Sequence, residues 1–391
     1  MDARSAILRT IALHGPISRA DITRAIDVSG PSVTLVTKEL LAQGIIREVD
    51  RAPSSGGRPA TLLQLVSTAA LAMGVKLAPD RVTGVLVDLA GAVVRRFTAP
   101  ISAAGEQAIA ELVACLAANL PSADEPLLGI GVGVPGVVAP GPEGRTTSSL
   151  MHWTDVPLAE LLSGRLGTPV VLDNDVNTLA VAETLVARTP DIADFLVLTL
   201  GRGIGLGIVS QGSVYRGALG AAEFGHVNVA LDGPLCECGR HGCLEAIVAD
   251  PALVRRARAL GVIAEADGID ALQRRADEGS TAARALFAEA GRILGQHTAN
   301  LVNVLGPSLV LVSGEGSQRW HLWRESFTSA FEACVIAPFA SVRVELDPWD
   351  DDRWAQGAAS LVLRAGLAPN HDDSLQDELI RERLIAPRNG R

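Results

Sequence analysis

The ten residues from Cys236 to Glu245, CECGRHGCLE, hold three of the chain's five cysteines and one of its seven histidines. Three thiolates within eight residues can converge on one tetrahedral zinc, with the fourth ligand coming from His241 or from elsewhere in the chain. His241 stands two residues before Cys243, so a tight turn works against its ring reaching the same ion. The other use of clustered cysteines is redox chemistry. Here a Cys-x-Cys with a third cysteine five residues on matches the Cys-x-x-Cys redox spacing poorly. Four protein ligands leave no open position, so the zinc is predicted to be structural and not a Lewis acid.

A second constellation is Asp173-Asn174-Asp175, which follows the apolar run PVVL. Carboxylates and an amide at the end of a buried strand stand where α/β folds bind ligands, and their directional donors and acceptors suit sugar hydroxyls. Capping the next helix is their plainer use. Glycine-rich stretches at Gly201–Gly207 and Gly314-Glu315-Gly316 can bring backbone amides close to phosphate, or can serve as tight turns between strands.

These residues need elements to hold them. From residue 70 the sequence alternates strand and turn, LAMGVKLA, RVTGVLVDLAG and AVVRRFTAP, then gives a helix QAIAELVACLAANL and a buried strand LLGIGVGVP. The strand DFLVLTLG, the glycine loop, a helical region over 251–304 and the strand SLVLVSGEG repeat that logic. The pattern predicts two α/β lobes, each a mixed sheet with helices on its faces.

In front stands a different module. SAILRTIAL, ISRADITRAI and SVTLVTKELLAQG read as three short helices, the second opened by Ser18 and Asp21 in a capping-box relation and the third started by Pro31 and stopped by Gly44. With the strands IIREVD and TLLQLV joined by APSSGGRP, they predict a winged helix-turn-helix. Ser32, Thr34, Thr37 and Lys38 of the third helix are placed facing the major groove, and Arg51 and Arg58 of the wing at phosphates or the minor groove. A small helical bundle that binds protein is the other reading. One recognition helix covers a half-site, which implies a homodimer or a dimer of dimers.

Four stretches in order, GIGVGVPGVV, VVLDNDVNTLA, AAEFGHVNV and CECGRHGCLE, resemble the ROK family of repressors and sugar kinases over roughly residues 70 to 365. The resemblance implies an actin-like, two-lobed (sugar kinase/ribonuclease H-like) fold with the ligand in a cleft between lobes. It further implies that Asn174 and Asp175 bind sugar hydroxyls, Asp175 being the kinase general-base position. Glu223, His226 and Glu245 complete the implied sugar site, the Gly133 to Gly136 turn lines it, and His226 is the fourth metal ligand beside Cys236, Cys238 and Cys243. Ser149 stands where the family usually has Asn.

The family's kinases carry a first phosphate loop of the type Asp-x-Gly-Gly-Thr. This chain has Lys76-Leu77-Ala78-Pro79-Asp80 there, without the glycines or the leading acid. Phosphoryl transfer depends on positioning and charge neutralisation, so the expectation is sugar binding without kinase activity and a vestigial Asp175. The resulting reading is a sugar-responsive transcriptional regulator that binds operator DNA and a sugar or sugar-phosphate effector. An ATP-dependent sugar kinase with an accessory DNA-binding head is the alternative.

Bulk properties fit that reading. Residues 1–66 carry 8 Lys and Arg against 6 Asp and Glu, a net of +2, while the remainder carries 26 against 38, a net of -12, so only the head is suited to nucleic acid. No run approaches 18 apolar residues and Met1 to Arg19 has no continuous apolar stretch, which predicts a cytoplasmic protein without a membrane partner. The expected division is 1–66 for the winged helix, 67–185 with 354–366 for the first lobe, 186–353 for the second, and 367–391 for a flexible tail. Cys115 and Cys334 lie in apolar runs and read as packing residues.

Overall fold

Local signals set the first elements. Ile7, Leu8 and Ile11 are buried along α1 (Ala3–His14), and β1 (Ile17–Ser18) leads into α2 (Arg19–Ala25). The Ser18 hydroxyl accepts from the Asp21 amide at 3.2 Å and donates to the Asp21 carboxylate at 2.6 Å, the predicted capping box with Asp in the usual Glu position. Ser29 caps α3 (Gly30–Ala42), Pro31 lies in its first turn, and Gly44, at φ +68°, takes the left-handed conformation that ends it. β2 (Ile46–Arg51) and β3 (Thr61–Leu65) pair antiparallel, and β1 joins the other edge of β3. These elements make a winged helix-turn-helix. The structure, a computed structural model, describes residues 3–51, 60–102, 105–186, 192–218, 220, 222–347, 350–367 and 375–385.

The chain forms two compact units, 1–178 with 354–391 and 179–353. In the first, β4 (Leu71–Leu77), β5 (Arg81–Asp88) and β6 (Val93–Pro100) form an antiparallel meander, followed by α4 (Gly105–Asn119). β7 (Leu127–Val134) adds parallel to β4. After a small sheet of β8 (Val137–Val138), β9 (Arg145–Ser148) and β10 (Trp153–Pro157), and α5 (Leu158–Leu166), β11 (Val170–Asn174) adds parallel to β7. The order is β11-β7-β4-β5-β6. α6 (Asp175–Val186) follows β11 and carries the chain into the second unit.

There β12 (Phe195–Leu200), β13 (Ile204–Ser210) and β14 (Ser213–Val214) are antiparallel. They are followed by α7 (Glu245–Val248), α8 (Asp250–Ala259), α9 (Ile269–Asp277) and α10 (Thr281–Leu305). β15 (Leu309–Ser313) and, after α11 (Trp320–Cys334), β16 (Arg343–Leu346) add in parallel to give β14-β13-β12-β15-β16. The two sheets therefore share strand order and direction, as the repeated pattern predicts, and Leu196, Leu198, Phe287, Leu294, Trp323 and Phe327 form the core of the second.

α12 (Asp351–Leu367) returns to the first sheet. A β-carbon added to Gly74 would lie 2.0 Å from the Ala355 carbonyl oxygen, and one added to Gly131 would lie 1.8 Å from that of Ala358, so glycine is what lets this helix sit directly on the strands. The winged-helix core runs into the same layer: Ile7, Ile11, Leu40, Ile45 and Leu63 belong to one apolar cluster with Ala69, Ala72, Val85, Ala355 and Ala359.

The tail expectation is corrected within 367–391. Residues 375–385 form α13 (Leu375–Ile385), with Ile380 and Leu384 buried and the Gln376 side chain accepting from the Val170 amide at 3.2 Å. The apolar pair at i and i+4 gives the charged segment a face to bury, which composition alone conceals.

Candidate functional site

The cysteine stretch folds into a closed loop. The Cys236 amide donates to the Arg240 carbonyl at 2.8 Å, Gly239 to Cys236 at 2.9 Å, and bridges join Asn228 with Cys243 and Leu235 with His241. At Gly242, φ is +73° and an added β-carbon would fall 1.6 Å from the Ala230 carbonyl oxygen, so the loop closes only with glycine there. One ligand atom each from His226, Cys236, Cys238 and Cys243 lies within 4.8 Å of the others. Cys236 Sγ is 3.6 Å from His226 Nδ1, and Cys238 Sγ is 3.6 Å from Cys243 Sγ. Tetrahedral zinc, with Zn–S near 2.3 Å and Zn–N near 2.0–2.1 Å, separates its ligand atoms by about 3.6–3.8 Å, so the donor set suits such an ion.

His241 is turned elsewhere, its Nδ1 3.0 Å from the Gly233 carbonyl oxygen. Burial pushes the Cys238 thiol up, but hydrogen bonds from Arg240 and the neighbouring cysteines outweigh this and bring it down to about 6, which favours a ligating thiolate. With Nδ1 of His226 among the sulfurs, its Nε2 lies 3.8 Å from the exposed Glu223 carboxylate.

Glu245, two residues past Cys243, opens α7 and turns toward the glycine loop. Its Oε2 accepts from the Ile204 amide at 3.2 Å and would be 2.6 Å from a β-carbon at Gly203. Burial pushes this carboxyl up, partly offset by the Ile204 amide. On the other side of the loop, Glu315 Oε1 accepts from the Arg202 amide at 2.8 Å, and a β-carbon at Gly201 would meet the Glu315 side chain at 2.4 Å. The glycines thus admit two carboxylates of the chain itself.

In the first unit the polar end of β11 gathers with the turn after β7. The Asn174 side-chain oxygen accepts from the Val176 and Asn177 amides at 2.8 and 3.2 Å, capping α6, and its nitrogen donates to the Gly136 carbonyl at 3.0 Å. Capping and ligand presentation are therefore both open to this residue, which keeps one amide hydrogen beyond these bonds. Asp175, half-buried at the start of α6, accepts from the Val176 amide at 3.0 Å. Gly133 packs 3.3 Å, by its missing β-carbon, from the Asp175 α-carbon, and Gly136 packs against Thr147 and Ser148. Ser149 is exposed in the turn just beyond, so Gly133, Gly136, Asn174 and Asp175 form one group with Ser149 at its edge, while Glu223, His226 and Glu245 form a second group around the cysteine loop.

The first phosphate-loop position, Lys76 to Asp80, is a closed hairpin turn. The Ala78 amide donates to the Arg81 carbonyl at 2.9 Å, Leu77 is fully buried, Asp80 pairs with Arg81 at 3.3 Å, and the Lys76 ammonium lies 3.8 Å from the Trp354 ring centroid.

On the winged helix, Thr34 and Lys38 are exposed and Ser32 is half-buried, its hydroxyl 2.8 Å from that of Ser29. Thr37 is a correction. It is fully buried, its hydroxyl donating to the Val33 carbonyl at 2.8 Å and accepting from Arg19 Nε at 3.0 Å, because position 37 falls one turn from Val33 on the inward face. Arg51 ends β2, with its side chain outside the described residues, and Arg58 lies outside them entirely.

Residues 72–365 match the ROK family, three quarters of the chain. The chain belongs to the ROK family. It is 30% identical over 379 residues to the DNA-binding transcriptional dual regulator NagC of Escherichia coli K12, covering 93% of this chain and 92% of NagC. It is 27% identical over 375 residues to the xylose repressor of Caldicellulosiruptor bescii, covering 91% and 94%. Among solved structures, a ROK family transcriptional regulator described as a homolog of the E. coli MLC protein superposes with a TM-score of 0.82 over 98% of both chains at 24% identity, a likeness of fold. A ROK family glucokinase from Streptomyces griseus, solved with glucose and AMPPNP, matches 75% of this chain and 99% of its own with a TM-score of 0.65 at 27% identity.

Two features of this ROK chain escaped the sequence reading. In the sequence Glu315 belongs to a glycine turn, and the acid between two glycines is the one signal that something fills the loop. Leu35 is 61% exposed on α3, an outward apolar residue that the helical pattern leaves unmarked.

Proposed function

We propose that the protein is a sugar-responsive, DNA-binding transcriptional repressor of carbohydrate-metabolism genes, acting in the cytoplasm as a homodimer or dimer of dimers. The observation that carries this reading is a winged helix whose core is continuous with the first sheet of a ROK fold. The named relatives that span over nine tenths of the chain are a repressor and a transcriptional regulator, which supports it. The effector is a sugar or sugar phosphate. Asn174 and Asp175, with Gly133, Gly136 and Ser149, are one set of its contacts, and Glu223, His226 and Glu245 are a second, each set testable by its own substitutions.

A structural zinc on His226, Cys236, Cys238 and Cys243 holds the second set in place. It ties Glu245 to the cysteine loop and fixes the His226 ring so that Nε2 faces outward as a donor. Asp175 then serves as a hydrogen-bond acceptor. The closed β4–β5 turn and the carboxylate-filled β12–β13 loop both argue against phosphoryl transfer, because the Ala78, Arg202 and Ile204 amides are bonded within the chain and Pro79 has no N–H to give. A ligand shifts the equilibrium between DNA-binding and released forms only by its differential affinity for them. Wing residues Arg51 and Arg58 and helix residues Ser32, Thr34 and Lys38 are the proposed DNA contacts.

The test is binding of the whole protein to randomised duplex DNA at several salt concentrations, with and without a panel of sugars and sugar phosphates. A palindromic site is expected, with affinity falling steeply as salt rises and changed about tenfold or more by one sugar class. Absence of sequence preference at every salt concentration, or robust ADP release with a sugar, overturns the reading.

A further inference from the structure

The outward face of α3 has an unusual inventory for a recognition helix. Pro31, Thr34, Leu35 and Lys38 are exposed and fall on one side at helical spacing, while Val33, Thr37 and Leu40 are buried beneath. Ion pairing of Arg4 with Glu39 at 2.8 Å and the bond from Arg19 to Thr37 fix the helix in that rotation. None of the exposed four is Arg, Asn or Gln, the side chains that grip guanine or adenine with two hydrogen bonds. The hydroxyls are partly spent: Thr34 donates to the Gly30 carbonyl at 2.9 Å, and Ser32 is engaged with Ser29. What the face offers a major groove is a leucine side chain 61% exposed to water, flanked by a proline ring, a threonine and one lysine.

We infer that Leu35 reads thymine by packing against its 5-methyl group. The inference rests on the repressor reading above and goes further, because it names the base and the atom. The thymine methyl is the one apolar group that the major groove displays, and a leucine that is costly to leave in water gains by covering it. Lys38, one turn on, supplies charge at phosphate or at a guanine edge and orients the helix. The half-sites therefore carry at least one thymine at a position where no protein hydrogen bond distinguishes it.

The experiment starts from the operator selected by the whole protein and replaces each thymine in turn by deoxyuridine, which keeps base pairing and removes only the methyl. At one or more positions in each half-site the wild-type affinity is expected to fall about 3- to 10-fold, the equivalent of one buried methyl or methylene group per contact. The same replacements are silent with Leu35→Ala, and Leu35→Met keeps the sensitivity. Both variants keep the wild-type unfolding temperature, since the side chain is exposed, and Leu35→Ala keeps the wild-type salt dependence, which Lys38→Ala lowers if the lysine meets phosphate. If the operator is bound but every thymine replacement affects wild type and Leu35→Ala alike, the inference fails and the repressor reading stands. If no operator is selected at all, both fall.

Discussion

The β4–β5 turn and the β12–β13 turn sit at equivalent places in two sheets of identical strand order, yet they handle their backbone amides in opposite ways. The first, Ala78-Pro79-Asp80, is closed by its own hairpin bond from Ala78 to Arg81 and backed by the buried Leu77. The second, Gly201-Arg202-Gly203, is rich in glycine, but the space those glycines create is taken by Glu315 and Glu245. One turn holds its amide with a backbone bond and the other holds its amides with carboxylates. A glycine-rich motif therefore reports close approach, and the approaching group has to be identified separately.

The largest effect should come from removing the proposed metal, because its ligands lie beside the second turn and not the first. Glu245 is held two residues beyond Cys243, so Cys243→Ala, or chelation of the wild-type protein, should free the cysteine loop and with it the carboxylate at Ile204. Stability is expected to fall by about 3 kcal/mol or more, since a structural metal contributes its binding energy to folding. Hydrogen exchange resolves where: amides of residues 202–204 should lose protection while Ala78 in the first turn keeps its own. Equal loss in both turns would break the contrast.

A smaller effect follows from filling the second turn. Gly203→Ala places a β-carbon 2.6 Å from Glu245 Oε2 and should cost about 1–3 kcal/mol, read as a lower denaturant midpoint. Its counterpart, Asp80→Ala, removes an ion pair whose acid is 72% exposed and should stay within about 0.5 kcal/mol. Comparable costs at the two positions would mean that the glycines are not there for the carboxylates.

How far the sequence alone reaches can be judged on the same residues. The apolar alternation of LAMGVKLA and DFLVLTLG, the capping at Ser18 and Asp21, and the breakers at Gly44 are local signals, and the two sheets and the winged helix follow from them. The cysteine spacing pointed to a metal for the same reason, since all three thiols lie within one loop. What escaped is set by distant packing. Thr37 looks outward in a list of polar residues, but its rotation is fixed by Arg19, eighteen positions away, and Ile380 and Leu384 find a core only once the β7–β11 edge exists. Glu315 meets Arg202 across 113 residues of chain, a pairing no window of sequence contains.

That pairing gives the smallest and most discriminating prediction. Glu315→Ala removes the carboxylate from the Arg202 amide and clears the side chain that a β-carbon at Gly201 would strike, while leaving the glycines, the sheet and the metal ligands as they are. A backbone amide freed of an acidic partner in a glycine turn is a weak anion site, so the variant should gain AMPPNP binding in roughly the millimolar range that the wild type lacks. Calorimetry or a nucleotide-dependent shift in unfolding temperature reads it. Turnover should still be absent, because in the β4–β5 turn the Ala78 amide is held by its hairpin bond and Pro79 has no N–H to offer a second phosphate contact. Wild-type protein that already binds AMPPNP as well as the variant would mean that Glu315 leaves room for phosphate. The second turn would then be a working half of a kinase site, and the difference between the two turns would lie in the first alone.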